Sequence, residues 1–260
     1  MEVMRRAIIV LCALLGAVLL GAQSQSIGAA LVDEPDPWPT PSGDPGGPDG
    51  VYGPRLPALE DRLRPGDASA GLLSRVVPQS GSGEFDAARI AEEIPEDAVE
   101  ESVDVLTVDI EVERDLAIDL ERFADFVVTT LNDERGWSAQ MDVAFAHAGA
   151  GTEADLLVRL ATPDTVDDLC DPLPTGGEYS CATPDGAVLN ALRWAEGAET
   201  FSEAGGNRTE YRHYLVNHEV GHLLGHGHAQ CPAPGEPAPV MVQQSITLDG
   251  CEPNGWIVPD

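Results

Sequence analysis

One short stretch constrains this chain more than any other. Residues 218–228 read His-Glu-Val-Gly-His-Leu-Leu-Gly-His-Gly-His. On a helix, side chains four residues apart share one face, so His218 and His222 can reach one metal ion while Glu219 lies beside it. Gly225 ends the helix and lets the chain bring His228 in as a third imidazole. Three imidazoles leave one position of a tetrahedral zinc ion open for water, whose proton Glu219 can accept.

Two other histidines near this motif have different interpretations. His226 lies between two glycines and could compete with His228 as the third ligand, but the spacing of the motif favours His228. His213 lies five residues before His218, so a helix turns it away from the ligands and we expect it on the surface. Tyr214 precedes the ligands at helical spacing and is expected to pack in the core.

The N-terminal residues are typical of an export signal. Arg5 and Arg6 precede an uncharged apolar run over residues 7–20, and small and polar residues follow. The run is shorter than the roughly 20 residues that a membrane helix needs. We assign residues 1–29 to a signal peptide and expect a secreted or extracellular protein without stable membrane insertion after cleavage. The alternative is an uncleaved N-terminal segment that anchors the chain at the cell surface.

The next segment, residues 30–80, is rich in proline, glycine and aspartate. Such a composition buries too little apolar surface to fold on its own. We therefore predict a disordered acidic linker or pro-segment over residues 30–80. One folded domain is then expected over residues 81–260.

Cysteine usage agrees with export. Four cysteines follow the predicted signal peptide, an even number that favours disulfides in an oxidising compartment. Three connectivities are open to four cysteines, and we prefer the pairing of sequence neighbours. These cysteines are Cys170, Cys181, Cys231 and Cys251.

The charge of the chain excludes one class of partner. Acidic residues number 45 against 14 basic ones, every basic residue is arginine, and the net charge is -31. A field of this sign repels polyanions, and the arginines form no cluster that could act as a basic patch. Nucleic acid is therefore not expected as a partner.

Hydrophobic periodicity predicts the elements that precede the motif. Alternating apolar residues predict three strands, helical spacing predicts one amphipathic helix, and a Pro-Asp-Gly sequence predicts a hairpin turn. The chain is expected to be helical again from Thr209. The predicted strands cover residues 103–113, 141–146 and 154–161, the helix covers 119–132, and the hairpin turn lies at 184–186.

The motif resembles that of the metzincin clan of zinc metallopeptidases. The chain fits the clan pattern HExxHxxGxxH at all five specified positions. The clan also has a methionine turn beneath the metal, and Met241 in a proline-rich stretch is the candidate for it. The alternative for Met241 is a residue that fills a gap in the core. Residues 83–260 also resemble an exported bacterial domain family of unassigned function that carries the same motif.

The resemblance implies a fold as well as a site. It implies a single metzincin-like domain of the α/β class (mixed α+β), with a mixed, partly antiparallel sheet and an active-site helix. Residues 187–190 would form the open sheet edge, which pairs with an extended peptide. Some clan members carry a tyrosine two residues after the turn methionine, where this chain has Gln243. Gln243 or Gln244 could donate to an oxyanion instead, although a solvated turn amide is the commoner role.

The function expected from these observations is that of an exported zinc-dependent peptidase with a peptide or protein substrate. His218, His222 and His228 would hold Zn²⁺, and Glu219 would act as general base. Two alternatives share the same ligands. One is a non-catalytic zinc-binding or cell-surface interaction domain, and the other is a zinc amidase that acts on cell-wall peptides.

Overall fold

The fold is organised around the long alternating strand near the start of the domain. The computed structural model describes residues 62–89, 104–148 and 153–259, all of which belong to one compact unit. The predicted signal peptide and most of the predicted linker lie outside the described residues. The described helices are α1 Pro65–Ser69, α2 Leu120–Leu131, α3 Trp137–Met141, α4 Pro163–Cys170, α5 Ala191–Glu196, α6 Glu199–Glu203 and α7 Arg208–Leu223. The described strands are β1 Phe85–Ala87, β2 Asp104–Glu113, β3 Val143–His147, β4 Leu156–Ala161, β5 Cys181–Thr183 and β6 Gly186–Asn190.

The six described strands form one mixed sheet, which confirms the expected mixed α+β class. Their order is β1-β2-β4-β6-β5. Strand β3 lies on the same side of β2 as β1: β3 pairs with the first half of β2, and β1 pairs with the second half. The pairs β2 with β3, β2 with β4, and β4 with β6 are parallel. The outer strands β1 and β5 are antiparallel to their neighbours.

The edge of the sheet is not where the sequence places it. Residues 187–190 belong to β6, which is paired with β4 on one side and with β5 on the other. Among the described strands, the edge on this side of the sheet is therefore β5, Cys181–Thr183. The Pro184-Asp185 turn folds β5 back onto β6 as the predicted hairpin, so the added strand covers the segment that was expected to be free.

The core lies between the sheet and two helices, α2 and α7. Alternation along β2 buries Val108 and Ile110, and helical spacing on α2 buries Phe123 and Val127. The indole of Trp194, at α5, packs edge-on against Phe123, with ring centroids 5.0 Å apart. These layers hold α7 in the interior, where most of its residues are buried on all sides.

The domain begins earlier than residue 81, where the sequence analysis places its start. Helix α1 packs on α7, where the Arg212 guanidinium forms an ion pair of 2.6 Å with Asp67, and both side chains are almost completely buried. The indole nitrogen of Trp194 donates to the Ala70 carbonyl, and Leu72 lies in the core. Because of these contacts, at least residues 64–80 are part of the folded unit and not of a linker. Proline and glycine content alone does not reveal the contacts.

The four cysteines form two disulfides, Cys170 with Cys181 and Cys231 with Cys251. This is the neighbour pairing preferred from the sequence. Each bond closes a short loop, residues 171–180 and residues 232–250, which we call the first and the second disulfide loop. Two disulfides are compatible with a secreted protein that folds in an oxidising compartment. Over the part of the chain that the structure describes, no helix is long and apolar enough to cross a membrane.

Candidate metal centre

The motif occupies the last turns of α7 and the turn that follows. The helix starts with Asn207 as N-cap, whose side-chain oxygen accepts the N–H of Glu210. It ends before Gly225, whose φ of +90° lies in the left-handed region that favours glycine. The chain reverses at this glycine, and residues 226–228 return along the end of the helix. The local sequence thus determines where the helix begins and where the chain reverses direction.

The three predicted ligands converge. The ring centroids of His218 and His222 lie 4.9 Å apart, those of His222 and His228 lie 4.7 Å apart, and those of His218 and His228 lie 5.4 Å apart. One nitrogen from each ring lies within 4.8 Å of the others. His226, the competing third ligand, is not part of this group. Its ring stacks instead on Trp137, with centroids 4.4 Å apart.

Backbone carbonyls orient two of the rings. Nδ1 of His218 lies 2.8 Å from the carbonyl oxygen of Val240, and Nδ1 of His222 lies 2.8 Å from that of His226. A carbonyl can only accept, so Nδ1 carries the proton in both rings. In the neutral form of each ring the lone pair is then on Nε2, which is the tautomer that carbonyl acceptors fix in metal-bound histidine.

Two of the three donors approach the spacing that a zinc ion requires. Nε2 of His222 and Nε2 of His228 are 3.1 Å apart. Two nitrogens that share a tetrahedral zinc at about 2.0–2.1 Å lie roughly 3.3–3.4 Å apart. Burial lowers the pKa of His218 to about 3. Burial, followed by the neighbouring His222, also lowers the pKa of His228. Neutral imidazole is the form that binds metal, so the lowered pKa values of His218 and His228 suit these two rings for metal binding.

Glu219 is buried in the same helix without a hydrogen-bond partner among the described residues. Burial raises the pKa of its carboxyl to about 8. Its side chain lines a cavity that His218 and His222 also line. A carboxyl in these surroundings holds a proton at neutral pH, and a nearby cation favours its charged form. It can therefore exchange a proton with a molecule bound in the cavity.

The predicted methionine turn supports the helix from below. Met241 is buried, and its sulfur packs against the backbone of Gly221, between the first two histidines. Its carbonyl accepts the N–H of Ala229, the residue after His228. The preceding carbonyl, that of Val240, orients His218 as described above. The turn thus contacts the helix and the returning chain at the same time.

Gly221 leaves space that no other residue could leave. A Cβ at this position would lie 2.5 Å from the sulfur of Met241 and 2.8 Å from Cζ2 of Trp137. The methionine can move, but the buried indole cannot move without disturbing α3. Alanine in place of glycine gains about 1 kcal/mol of helix propensity, whereas overpacking costs about 1–3 kcal/mol.

We therefore expect Gly221→Ala to destabilise the domain by about 1 kcal/mol, measured by chemical denaturation of the zinc-free protein. Gly227→Ala is the matched control, because its Cβ would meet no atom within 4 Å. The control should leave the free energy of unfolding unchanged or slightly raised. A Gly221→Ala protein that is more stable than wild type would contradict the packing described here.

A cavity of about 480 Å³ opens over the histidine cluster and Glu219. The first disulfide loop forms one wall with Leu173 and Tyr179, and the second forms another with Gln243 and Ile246. The edge strand β5 borders the cavity through Cys181 and Ala182. An open sheet edge beside a cluster of polar groups suits an extended peptide, whose backbone can pair with the strand. The edge that borders the site is thus β5 and not residues 187–190.

Other sequence-based expectations have mixed outcomes. Gln243 is exposed and lines the cavity, so it stays a candidate donor. Gln244 is not a candidate donor, because its buried amide donates to the carbonyl of Asn254 and accepts the N–H of the same residue. His213 is only partly exposed, because its ring lies between those of Phe126 and Trp256. Burial lowers the pKa of His213 to about 3, so it stays neutral.

Two supporting groups leave little trace in the sequence. The carbonyl of Val240 has no residue signature, although its place directly before Met241 could have located it. The indole of Trp137 is remote in sequence, yet its nitrogen donates to the Asn217 carbonyl at 2.8 Å. Its one sequence signal is Gly221, whose missing side chain makes room for the ring.

Fold and site together define a mixed α+β domain that carries three histidines at the end of a buried helix. A family model matches residues 74–255, and its family is described as a protein of unknown function (DUF3152). Because this match covers well over half of the chain, the chain belongs to that family. The comparisons with curated proteins and with solved structures find no match.

Proposed function

We propose that this chain is an exported zinc-dependent peptidase. The observation that carries the proposal is the convergence of His218, His222 and His228 in a cavity that Glu219 also lines. The resemblance to the metzincin motif supports it, as does the cavity bordered by a sheet edge. The two disulfides support the exported part of the proposal.

The residues of the chain have distinct roles in this proposal. His218, His222 and His228 hold the ion, and the carbonyls of Val240 and His226 keep two of the rings in the ligand tautomer. Bound zinc supplies a Lewis acid that polarises a peptide carbonyl and makes water more acidic. Glu219 accepts a proton from the attacking water and donates it to the nitrogen of the leaving amine.

Metal content tests the first part of the proposal. We expect the purified protein, prepared without chelators, to contain one zinc ion per chain by elemental analysis. His228→Ala should lose most of this zinc, because the third ligand is removed from an exposed part of the site. His147→Ala, which changes a histidine outside the cluster, should retain it. A wild-type protein without zinc, even after incubation with added Zn²⁺, would refute the proposed function.

A further inference from the structure

The turn that carries His228 is exposed and contains two glycines. Gly225 and Gly227 flank His226, and a Cβ at either glycine would meet no atom within 4 Å. Glycine has more backbone freedom to lose than any other residue, so the turn is costly to order. His226 is itself exposed. An exposed turn with two glycines needs a specific contact if it is to present a ligand in one orientation.

Trp137 supplies that contact. Its ring stacks on that of His226 with centroids 4.4 Å apart and an interplanar angle of 28°. The other side of the turn is held through the backbone, since the N–H of His226 donates to the Gly221 carbonyl at 2.9 Å. The carbonyl of His226 then accepts from Nδ1 of His222 at 2.8 Å. The position of His226 therefore determines the orientation of a neighbouring ligand.

The same indole also fixes the helix on which the first two ligands stand. Its nitrogen donates to the carbonyl of Asn217, the residue before His218. Its six-membered ring packs against Gly221, the residue before His222. Trp137 is almost completely buried, so these contacts are made on a rigid support. One side chain thus contacts α7 at two points and the returning turn at a third.

We propose that Trp137 and His226 form a stacked pair that positions His222 and His228 for zinc, and that His226 acts through the face of its ring and not as a ligand. This inference rests on the proposed zinc site. It assigns a positioning role to two residues outside the His-Glu-His-His set. Aromatic character at position 226, not a ring nitrogen, is the property that the role requires.

The test compares His226→Ala with His226→Phe, both of which keep the backbone carbonyl that His222 uses. The measurement is the zinc dissociation constant, obtained by competition with a chelator of known affinity. We expect zinc to bind about tenfold more weakly to His226→Ala, the size of effect that loss of one aromatic pair and freer glycines would give. Phenylalanine keeps the stack, so His226→Phe should bind zinc within about threefold of wild type.

Thermal unfolding of the zinc-free proteins separates positioning from general stability. His226 is exposed, so we expect the zinc-free Tm of both variants to equal that of wild type. Equal zinc affinity for wild type and His226→Ala would overturn the inference. So would a His226→Phe protein as weak as His226→Ala, because a ring nitrogen would then be the required group. A wild-type protein that binds no zinc at all would overturn both the inference and the proposed function.

Discussion

Replacing Glu219 with glutamine is expected to lower peptide hydrolysis by about 10³-fold while the zinc content stays at one ion per chain. The substitution keeps the shape of the side chain but removes the oxygen that accepts a proton, and general base catalysis contributes about 10²–10⁴-fold. The three ligands are unchanged, so binding of the ion is retained. The measurement is the initial rate of cleavage of an unfolded, fluorescently labelled protein, with elemental analysis of the same samples.

Glu203→Gln is the matched control, because Glu203 is an exposed carboxylate in α6. It should cleave at the wild-type rate. Undiminished turnover in Glu219→Gln would mean that another group takes the proton. If the zinc-loaded wild type cleaves no unfolded protein, the same assay on isolated cell-wall peptides distinguishes a wall amidase from a non-catalytic binding domain.

The second large effect concerns stability and lies away from the metal site. We expect Asp67→Asn to destabilise the domain by about 3–5 kcal/mol, the cost of leaving a buried charge without its partner. Arg212 is fully buried in α7, and its guanidinium donates to Asp67 as well as to the carbonyls of Gly66 and Trp194. The amide of asparagine carries no negative charge, so the buried guanidinium of Arg212 would lose its counter-charge. Denaturant unfolding of the zinc-free protein measures the loss.

The pH dependence of this effect has a defined sign. Burial raises the pKa of Asp67, but Arg212 and the N–H of Arg64 outweigh it, so the pKa lies below its ordinary value. A carboxyl with a lowered pKa stabilises the fold above its unfolded pKa of about 3.9 and loses this contribution as the pH falls. The stability difference between wild type and Asp67→Asn should therefore shrink below about pH 4.

An exposed ion pair serves as the control for the buried one. Arg114 pairs with Glu84 on the surface, where both side chains are largely accessible to water. Glu84→Gln should leave the unfolding transition almost unchanged, since exposed pairs contribute little. If Asp67→Asn behaves like this control, α1 is not an essential part of the fold.

The cluster of three histidines could be predicted because its geometry is local. His218 and His222 are one helical turn apart, and Gly225 marks the reversal that brings His228 back, so spacing alone specifies the cluster. The supports could not be predicted in the same way. Trp137 and Val240 meet α7 only through the tertiary fold, and one of them acts through a backbone atom.

The fold shows the same division between local and distant information. Long periodic segments such as β2 and α2 end within a residue or two of the predicted bounds. Short helices such as α4 and α5 have too few residues for periodicity to be visible. The sheet edge was misplaced because only the complete hairpin shows that β5 covers β6. Residues 64–80 were misread because proline-rich composition is local, whereas Asp67 finds its partner 145 residues away.

The two disulfides have a practical consequence for every experiment on this protein. The first loop forms a wall of the cavity, and the second carries both another wall and the Val240-Met241 turn beneath the histidines. A chain produced with reduced thiols lacks both of these covalent links. A protein that is produced in a reducing cytoplasm, or stored with a thiol reagent, thus differs from the oxidised protein in these two bonds. Inactivity of such a sample would say little about the oxidised protein.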